Sequence, residues 1–369
     1  MSNDLTFIHE KRKWGVEFGV GATALWIASM RKADYKLGVN SRLNDHFAQR
    51  FVPDNGIGEQ IEKEIAESMA NFFFTPDSNP NLVHPKLKKV FIFNNSLGQK
   101  YLKKWKDVTP TPKKLANSLA LQRLAVINRS VHYDEEIRKA IVDEGITQMV
   151  TLASGLDCRC LRLACLDETI EHYLIDQPDM VDHVKRVVPE LEQKPSIHYI
   201  GVKFGEEKWW DMLEASGFDR NKKSLFLMEG LVMYLQESEI DENLENISSL
   251  MCNGSIISGD YTLEGFISHP LMSGLMDTLE RWKCKWTYGP TSYHKWQEKL
   301  HKENFTILED KDLLNSAGRL LTWIRDNYMP WIPNYRVYTA CKGGSVGDFN
   351  DAVNKRRFTN AKVKPLVHT

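Results

Sequence analysis

The stretch Leu152-Ala153-Ser154-Gly155-Leu156-Asp157 decides the fold predicted for this chain. It ends a short apolar run, and its small residues would let the backbone approach a ligand closely, with a helix N-terminus beginning behind them. Cys158 and Arg159 follow, so the third glycine of the dinucleotide fingerprint is absent and a nicotinamide dinucleotide is disfavoured. One glycine after a strand is otherwise as often a plain turn as a binding loop.

Short β-rich runs alternate with helical stretches on the C-terminal side of this loop. This rhythm predicts parallel βαβ units, and hence an α/β fold with a doubly wound, mostly parallel sheet. Ligands in such sheets bind outside the carboxyl ends of the strands, near the point where strand order reverses. The runs that predict strands are residues 149–153, 169–176, 197–204, 224–228 and 254–261, and those that predict helices begin at Pro178, Trp209 and Glu237.

The chain divides into three predicted regions. Residues 1–120 form a helical N-terminal region, with helices at 21–36 and 59–74 and a loop-rich insertion at 75–112. The core spans 121–345: it opens with a helix over 115–145, carries a helical cap at 263–335, and closes with strands at 305–308 and 336–341. The last region, 346–369, is a polar tail.

Composition excludes several classes of function. Lys+Arg 48 against Asp+Glu 49 leaves a net charge of -1, which predicts no nucleic-acid and no membrane partner. The six cysteines show no C-x-x-C spacing, so we expect reduced thiols and no metal site. Neither a signal peptide nor a membrane-spanning run is evident, which predicts a cytoplasmic protein. The oligomeric state stays open.

Two acidic residues lie at predicted strand ends. Asp176 stands about 20 positions after the glycine loop, where an acid can accept hydrogen bonds from ribose hydroxyls; alternatively, it caps the helix that begins at Pro178. Glu229 follows the fourth strand among apolar neighbours, where burial without a partner would be costly. A ligand amine or hydroxyl would satisfy Glu229, as would a backbone amide or an arginine.

At this point the sequence resembles the leucine carboxyl methyltransferase family, which includes polyketide O-methyltransferases and enzymes that methylate the C-terminal leucine of a protein phosphatase. The similar motifs follow one another in the same order over about two thirds of the chain, so the probability that they agree by chance is small. The motifs are LASGLDCRCLRL at 152–163, Ile127-Asn128-Arg129-Ser130 with Asp134, Ile175-Asp176-Gln177-Pro178, EGLVMYL at 229–235, TALWIASMR at 23–31 and DHFAQRF at 45–51.

This resemblance implies a class I methyltransferase fold, which is Rossmann-like, and S-adenosylmethionine as the cofactor. It implies that Arg129 pairs with the methionine carboxylate, assisted by Arg31, and that the Gly155 loop, with Ala153 and Ser154, passes under the methionyl part. It places Asp176 and Gln177 at the ribose, Glu229 and Gly230 near the methionine amine, and Tyr234, the predicted catalytic residue, facing the substrate or the transferring methyl group.

The chain departs from the family pattern at two positions. Lys203-Phe204 stands where the family commonly has an aspartate followed by leucine or phenylalanine that binds the adenine amine. Lysine cannot accept that hydrogen bond, so we expect the backbone and ring of Phe204 to hold the adenine. Cys158 also replaces the usual threonine of the glycine loop.

The predicted activity is O-methylation of a small-molecule acceptor. A carboxyl acceptor is favoured over a phenol. A phenol would need a base, for which His132, His183 and His294 are the candidates, although a surface or satisfied core histidine is the favoured interpretation of each. Aromatic residues between Trp282 and Trp296, with Trp323, Tyr328 and Trp331, form either a substrate lid or the core of the cap. The alternative functions are a protein C-terminal carboxyl methyltransferase and a non-catalytic S-adenosylmethionine-binding scaffold.

Overall fold

The computed structural model describes residues 20–52, 54, 56–69, 112–268, 272–313 and 335–343. The predicted insertion at 75–112 lies almost wholly outside these residues, as do the tail at 346–369 and the aromatic side chains of Trp323, Tyr328 and Trp331. The division into N-terminal region, core and cap stays a prediction. No helix in the described ranges is long and apolar enough to cross a membrane.

One seven-stranded sheet confirms the predicted doubly wound α/β fold. Its strand order is β3-β2-β1-β4-β5-β7-β6; the first five strands run parallel, and β7 is antiparallel to both β5 and β6. Strand order reverses between β1 and β4, so the predicted binding point lies beyond Leu152 and Met228. The strands are β1 Gln148–Leu152, β2 Glu171–Asp176, β3 Ile197–Gly201, β4 Ser224–Met228, β5 Ile256–Thr262, β6 Phe305–Asp312 and β7 Tyr335–Lys342.

Helices cover both faces of this sheet. The N-terminal helices share one apolar cluster with the helix after β2, whereas the helices after β3 and β4 pack on a second cluster. The helices are α1 Val20–Tyr35, α2 Ala48–Phe51, α3 Ile57–Met69, α4 Pro112–Arg138, α5 Arg159–Arg162, α6 Pro178–Val187, α7 Trp209–Ala215, α8 Glu237–Leu250, α9 Glu264–Ile267, α10 Ser273–Arg281 and α11 Tyr293–Lys302. A π-helical turn, Lys139–Asp143, follows α4, and 3-10 turns lie at Gly38–Asn40, Pro189–Gln193 and Val232–Tyr234.

Strand β6 is longer than predicted. The prediction ended at residue 308 because Glu309, Asp310, Lys311 and Asp312 are all charged, yet the strand continues through them after a register shift between Ile307 and Glu309. Arg336 of β7 donates to Asp310 across the ladder (Nε to Oδ1, 2.7 Å). The ion pair satisfies the buried carboxylate of Asp310, so the charged run can stay in the sheet.

Candidate active site

A cavity of about 400 Å³ opens at the carboxyl ends of β1 and β4. It lies at the reversal of strand order, where the fold predicts ligand binding. The sequence motifs converge here from distant parts of the chain. Of the predicted site residues, those that line the cavity are Arg31, Arg129, Ala153, Ser154, Gly155, Asp176, Gln177, Phe204, Glu229, Gly230 and Tyr234.

The glycine loop is held to the end of β2 by Asp176. Ala153 and Gly155 adopt left-handed backbone conformations, with φ of 53° and 54°. The loop therefore turns sharply, and the backbone N–H of Gly155 donates to Asp176 Oδ2 at 2.6 Å, while that of Gln177 donates to Oδ1 at 2.7 Å. Gln177 is the N-cap of α6, so Asp176 binds the loop rather than capping the helix. Burial raises the pKa of Asp176 to about 6, against the lowering effect of the two N–H groups.

Glu229 lies between two arginines. Arg129 Nε contacts its Oε1 at 3.0 Å, and Arg159 Nη2 contacts its Oε2 at 2.7 Å. The same Arg159 pairs with Asp157 at 2.9 Å and Asp134 at 2.8 Å. Although burial raises the pKa of Asp157, the nearby guanidinium groups, Arg159 foremost, lower it to about 2. The arginine partnership considered for Glu229 is therefore present, and Glu229 lines the cavity as well.

Sequence reasoning missed two residues beside Arg129. Asp260, which is fully buried in β5, accepts from the Gly230 N–H at 2.7 Å, and its Oδ2 lies 3.6 Å from Arg129 Nε. Arg129 Nη1 donates to the hydroxyl of Tyr335 in β7 at 2.9 Å. Burial raises the pKa of Asp260 to about 6, with Arg129 opposing it. An acid inside the strand predicted at 254–261 was the available signal for Asp260; Arg159, also missed, lies within the glycine-loop motif.

Arg31 keeps one donor unused. Its Nη2 donates to the Leu156 carbonyl at 2.8 Å, and its Nη1 lies 3.4 Å from Asp45 Oδ2. Its Nε is buried without a hydrogen-bond partner, although the residue lines the cavity. A buried donor without a partner is costly, so this group favours an acceptor supplied by a ligand.

Of the neighbours Lys203 and Phe204, only Phe204 lines the cavity. The Lys203 side chain is 64% exposed, with Nζ 4.0 Å from Glu206 Oε2, and it is not part of the lining. Phe204 does line the cavity. The structure thus leaves an aromatic ring at the place where the family commonly supplies an acid.

None of the three histidines considered as a base lines the cavity. His132 is buried beside Tyr133, and burial lowers its pKa to about 4. His183 is buried at α6 and contacts Arg186 through Nδ1 at 2.9 Å, and His294 is exposed on α11. Among the described residues, the cavity contains no histidine at all.

The predicted aromatic cluster divides between cavity and core. Trp286 lines the cavity and meets Tyr234 edge-on, with ring centroids 6.3 Å apart. Trp296 instead stacks on Tyr261 in the core at 4.9 Å. Trp26 of α1 also lines the cavity, and its indole nitrogen is buried without a hydrogen-bond partner. Burial raises the pKa of Tyr234 to about 12, so its hydroxyl stays protonated.

Comparisons with known proteins agree with this arrangement. The leucine carboxyl methyltransferase family model matches residues 70–248. A protein of Mycolicibacterium paratuberculosis, named "Putative S-adenosyl-L-methionine-dependent methyltransferase", is 27% identical over 73% of this chain and 74% of its own length. One of Mycobacterium tuberculosis with the same name is 28% identical over 69% of each chain.

Solved structures show a weaker likeness. A "putative methyltransferase" from Thermobifida fusca matches with a TM-score of 0.49 and 14% identity, over 64% of this chain and 90% of that one. The family match includes the glycine loop, the acid that ends β2 and the acid after β4. Over residues 70–248 the chain is similar to the leucine carboxyl methyltransferase family.

Proposed function

We propose that this chain transfers the methyl group of S-adenosylmethionine to a carboxylate oxygen of a small, largely apolar acid. The match to the family model and the names of the mycobacterial relatives support methyl transfer from that donor. The choice of oxygen, and of a carboxylate in particular, rests on the donors that the cavity presents.

The residues around the glycine loop fit S-adenosylmethionine. Asp176 has oxygen lone pairs left for ribose hydroxyls after its two backbone contacts. Gly230 has φ of 67°, and a Cβ there would lie 3.3 Å from Arg129 Nη1, so a side chain at this position would crowd the guanidinium assigned to the methionine carboxylate. The unpartnered Arg31 Nε suits a carboxylate, and Phe204 offers a ring to the adenine. When bound, the cofactor supplies a methyl group on a positively charged sulfur.

One observation carries the choice of acceptor: the described lining offers hydrogen-bond donors and no histidine, and Asp176, its acid outside the arginine network, is assigned to the ribose. The indole groups of Trp26 and Trp286 only donate, and the Tyr234 hydroxyl stays protonated at neutral pH. The carboxylates of Asp157 and Glu229 are held by arginines. A carboxylate acceptor is already ionised at pH 7, with an ordinary pKa of about 4, whereas a phenol near 10 must lose a proton first.

The remaining lining defines what the acceptor looks like. Ile27, Met233, Phe266, Met272 and Leu275 contribute apolar side chains to the cavity. Such a wall favours an apolar body next to the carboxylate, and it excludes water from the reacting atoms. The chain's own contribution to rate is then alignment of the attacking oxygen in a dry site rather than proton transfer.

The stability of the methylated product in alkali distinguishes a carboxylate acceptor from a phenol. Purified protein is incubated with S-adenosylmethionine carrying tritium in its methyl group and with matched pairs of apolar acids and phenols on the same ring skeleton. A methyl ester releases volatile tritiated methanol in alkali, but a methyl ether does not. We expect volatile label from the acids alone; alkali-stable label in the phenols contradicts the proposal.

The two alternative functions give different results in the same experiment. Alkali-labile tritium that precipitates with added protein or peptide identifies a C-terminal carboxyl methyltransferase. Calorimetry without any acceptor tests the scaffold: cofactor binding with no labelled product from any acceptor indicates a non-catalytic protein, and no binding at millimolar cofactor contradicts both enzyme and scaffold.

A further inference from the structure

A histidine and two glutamates lie together between α4 and β6, outside the cavity lining. His132 and Glu136 are four residues apart on α4, which puts them on one face of the helix. Glu309 comes from β6. One ring nitrogen of His132 and one carboxylate oxygen of each glutamate lie within 4.8 Å of one another. Small rotations of these side chains would bring the three atoms to metal-binding distances of about 2.0–2.2 Å from a shared centre.

His132 supplies an independent sign that a ligand belongs here. The side chain is only 7% exposed, and its Nε2 is buried with no hydrogen-bond partner in the structure. Buried polar atoms of native proteins are nearly always paired, with protein, water or an ion. A metal ion at the ring would satisfy this nitrogen.

The two glutamates are held in place by neighbouring donors. Thr339 Oγ1 donates to Glu136 Oε2 at 2.9 Å, which fixes the carboxylate as outer-shell partners do in metal sites. Lys139 pairs with Glu136 and Lys311 with Glu309, each at 2.8 Å. A divalent cation carries the charge of the two lysines together, and it would bind the carboxylates by displacing both ammonium groups. The helix changes to a π-helical turn at Lys139–Asp143, a distortion frequent at functional sites.

We propose that His132, Glu136 and Glu309 bind a first-row divalent metal ion, with Zn²⁺ as the ion that this mixed nitrogen and oxygen set favours. The sequence predicted no metal site. Along the chain, strands β1 to β5 come between Glu309 and the other two ligands, so no sequence motif joins the three. His132 follows Arg129 by three residues on α4, so the ion ties the cavity-lining part of the helix to the β6–β7 edge. The site is independent of the proposed methyl transfer.

Zinc titration of the full chain, first stripped with a chelator, tests the site. Isothermal calorimetry compares wild type with Glu309→Gln, His132→Gln and the control Glu135→Gln, which changes the neighbouring acid on α4. We expect wild type and the control to bind one more equivalent of Zn²⁺ than the two ligand variants, or to bind it at least roughly ten-fold more tightly. Ten-fold is about the smallest loss of affinity seen when an outer-shell partner is removed, so loss of a direct ligand should cost at least as much. Mg²⁺, which prefers oxygen-only sites, should not compete.

The design separates this site from other zinc-binding groups. The chain has 11 histidines and six cysteines, and any zinc that these bind elsewhere is common to all four proteins. Glu309 lies on an edge strand and is 34% exposed, so Glu309→Gln keeps the test valid if the buried His132→Gln variant fails to fold. Absence of wild-type binding, or equal stoichiometry and affinity in Glu309→Gln and Glu135→Gln, overturns the proposal. Visible absorption of bound Co²⁺ is a second readout. It should be lost in Glu309→Gln and kept in Glu135→Gln.

Discussion

Replacing Asp176 by asparagine should damage cofactor binding while leaving the fold almost as stable as before. The carboxylate accepts the N–H groups of Gly155 and Gln177 at 2.6 and 2.7 Å and still lines the cavity. Asparagine keeps one acceptor oxygen but turns the other position into a donor. Hydroxyl groups of a ribose would then meet an amide in place of a charge.

The size of each effect follows from the burial of Asp176. A hydrogen bond to a charged group contributes about 1.5–3 kcal/mol, so affinity for S-adenosylmethionine should fall by roughly 10- to 150-fold. Stability has two opposing terms. Burial raises the pKa of Asp176 from 3.8 to about 6, so keeping the carboxylate ionised at neutral pH destabilises the folded state by about 3 kcal/mol. Asparagine removes this cost. Loss of one backbone contact costs about 1–3 kcal/mol, so the two nearly cancel.

The same pKa predicts a pH dependence of binding. Because the folded-state pKa of Asp176 is raised, its ionised form is favoured only above about pH 6, and it is this form that accepts ribose hydroxyls. Wild-type affinity should therefore fall as pH decreases through 6, by roughly ten-fold per unit below it. The asparagine variant lacks this carboxylate but keeps Asp260, whose pKa is also about 6, so its affinity should change less than that of the wild type over the same range.

Calorimetry with S-adenosylmethionine at about pH 7.5 and about pH 5 measures both effects, and urea unfolding measures stability in parallel. Asp182→Asn, an exposed acid on the same helix α6, is the matched control. The reasoning fails if Asp176→Asn binds within about two-fold of wild type at the higher pH. It fails equally if wild-type affinity is the same at both pH values, or if the control loses affinity as much as the variant.

Two further predictions concern the arginines and Tyr234. Arg129→Ala should weaken cofactor binding by more than roughly ten-fold, whereas Tyr234→Phe should mainly lower kcat; equal effects of the two on Kd and kcat would contradict the assigned roles. Arg159→Met leaves Asp157 and Glu229 buried without their shared cation, so the free energy of unfolding should fall by about 3–5 kcal/mol in urea, and a loss below about 1 kcal/mol would refute the network's structural role.

The sequence alone predicted the parts of the site that are encoded locally. Gly155, Asp176 and Glu229 each lie at the end of a strand or within three residues of it, and the period of the strands and helices predicts that parallel strand ends share one edge. For six of the seven strands the predicted bounds lie within three residues of the observed ones, with β3 ending at 201 instead of 204. They were missed in β6, where a cross-strand ion pair between Asp310 and Arg336 keeps a charged run in the sheet.

Asp260 and Tyr335 could not be predicted in the same way because their roles depend on strand pairing far along the chain. Asp260 stands opposite Val337 in the antiparallel β5–β7 ladder, which carries Tyr335 to the same side of the molecule as Arg129. The residue types are ordinary strand components by themselves. His132 was a candidate base, with a surface or core histidine as the favoured interpretation, and the structure buries it outside the cavity.

The distribution of charge explains why one cavity suits two different ligands. Near the glycine loop the lining holds both signs, with Arg129 and Arg31 beside Glu229 and Asp176, and a zwitterion such as the methionyl part of the cofactor can match both. The lining also includes Trp26 and Trp286, whose indole groups only donate. An acceptor that brings its own negative charge matches those donors and can attack as it is, whereas a phenol must first give its proton to a base, and the described lining has no histidine for that step.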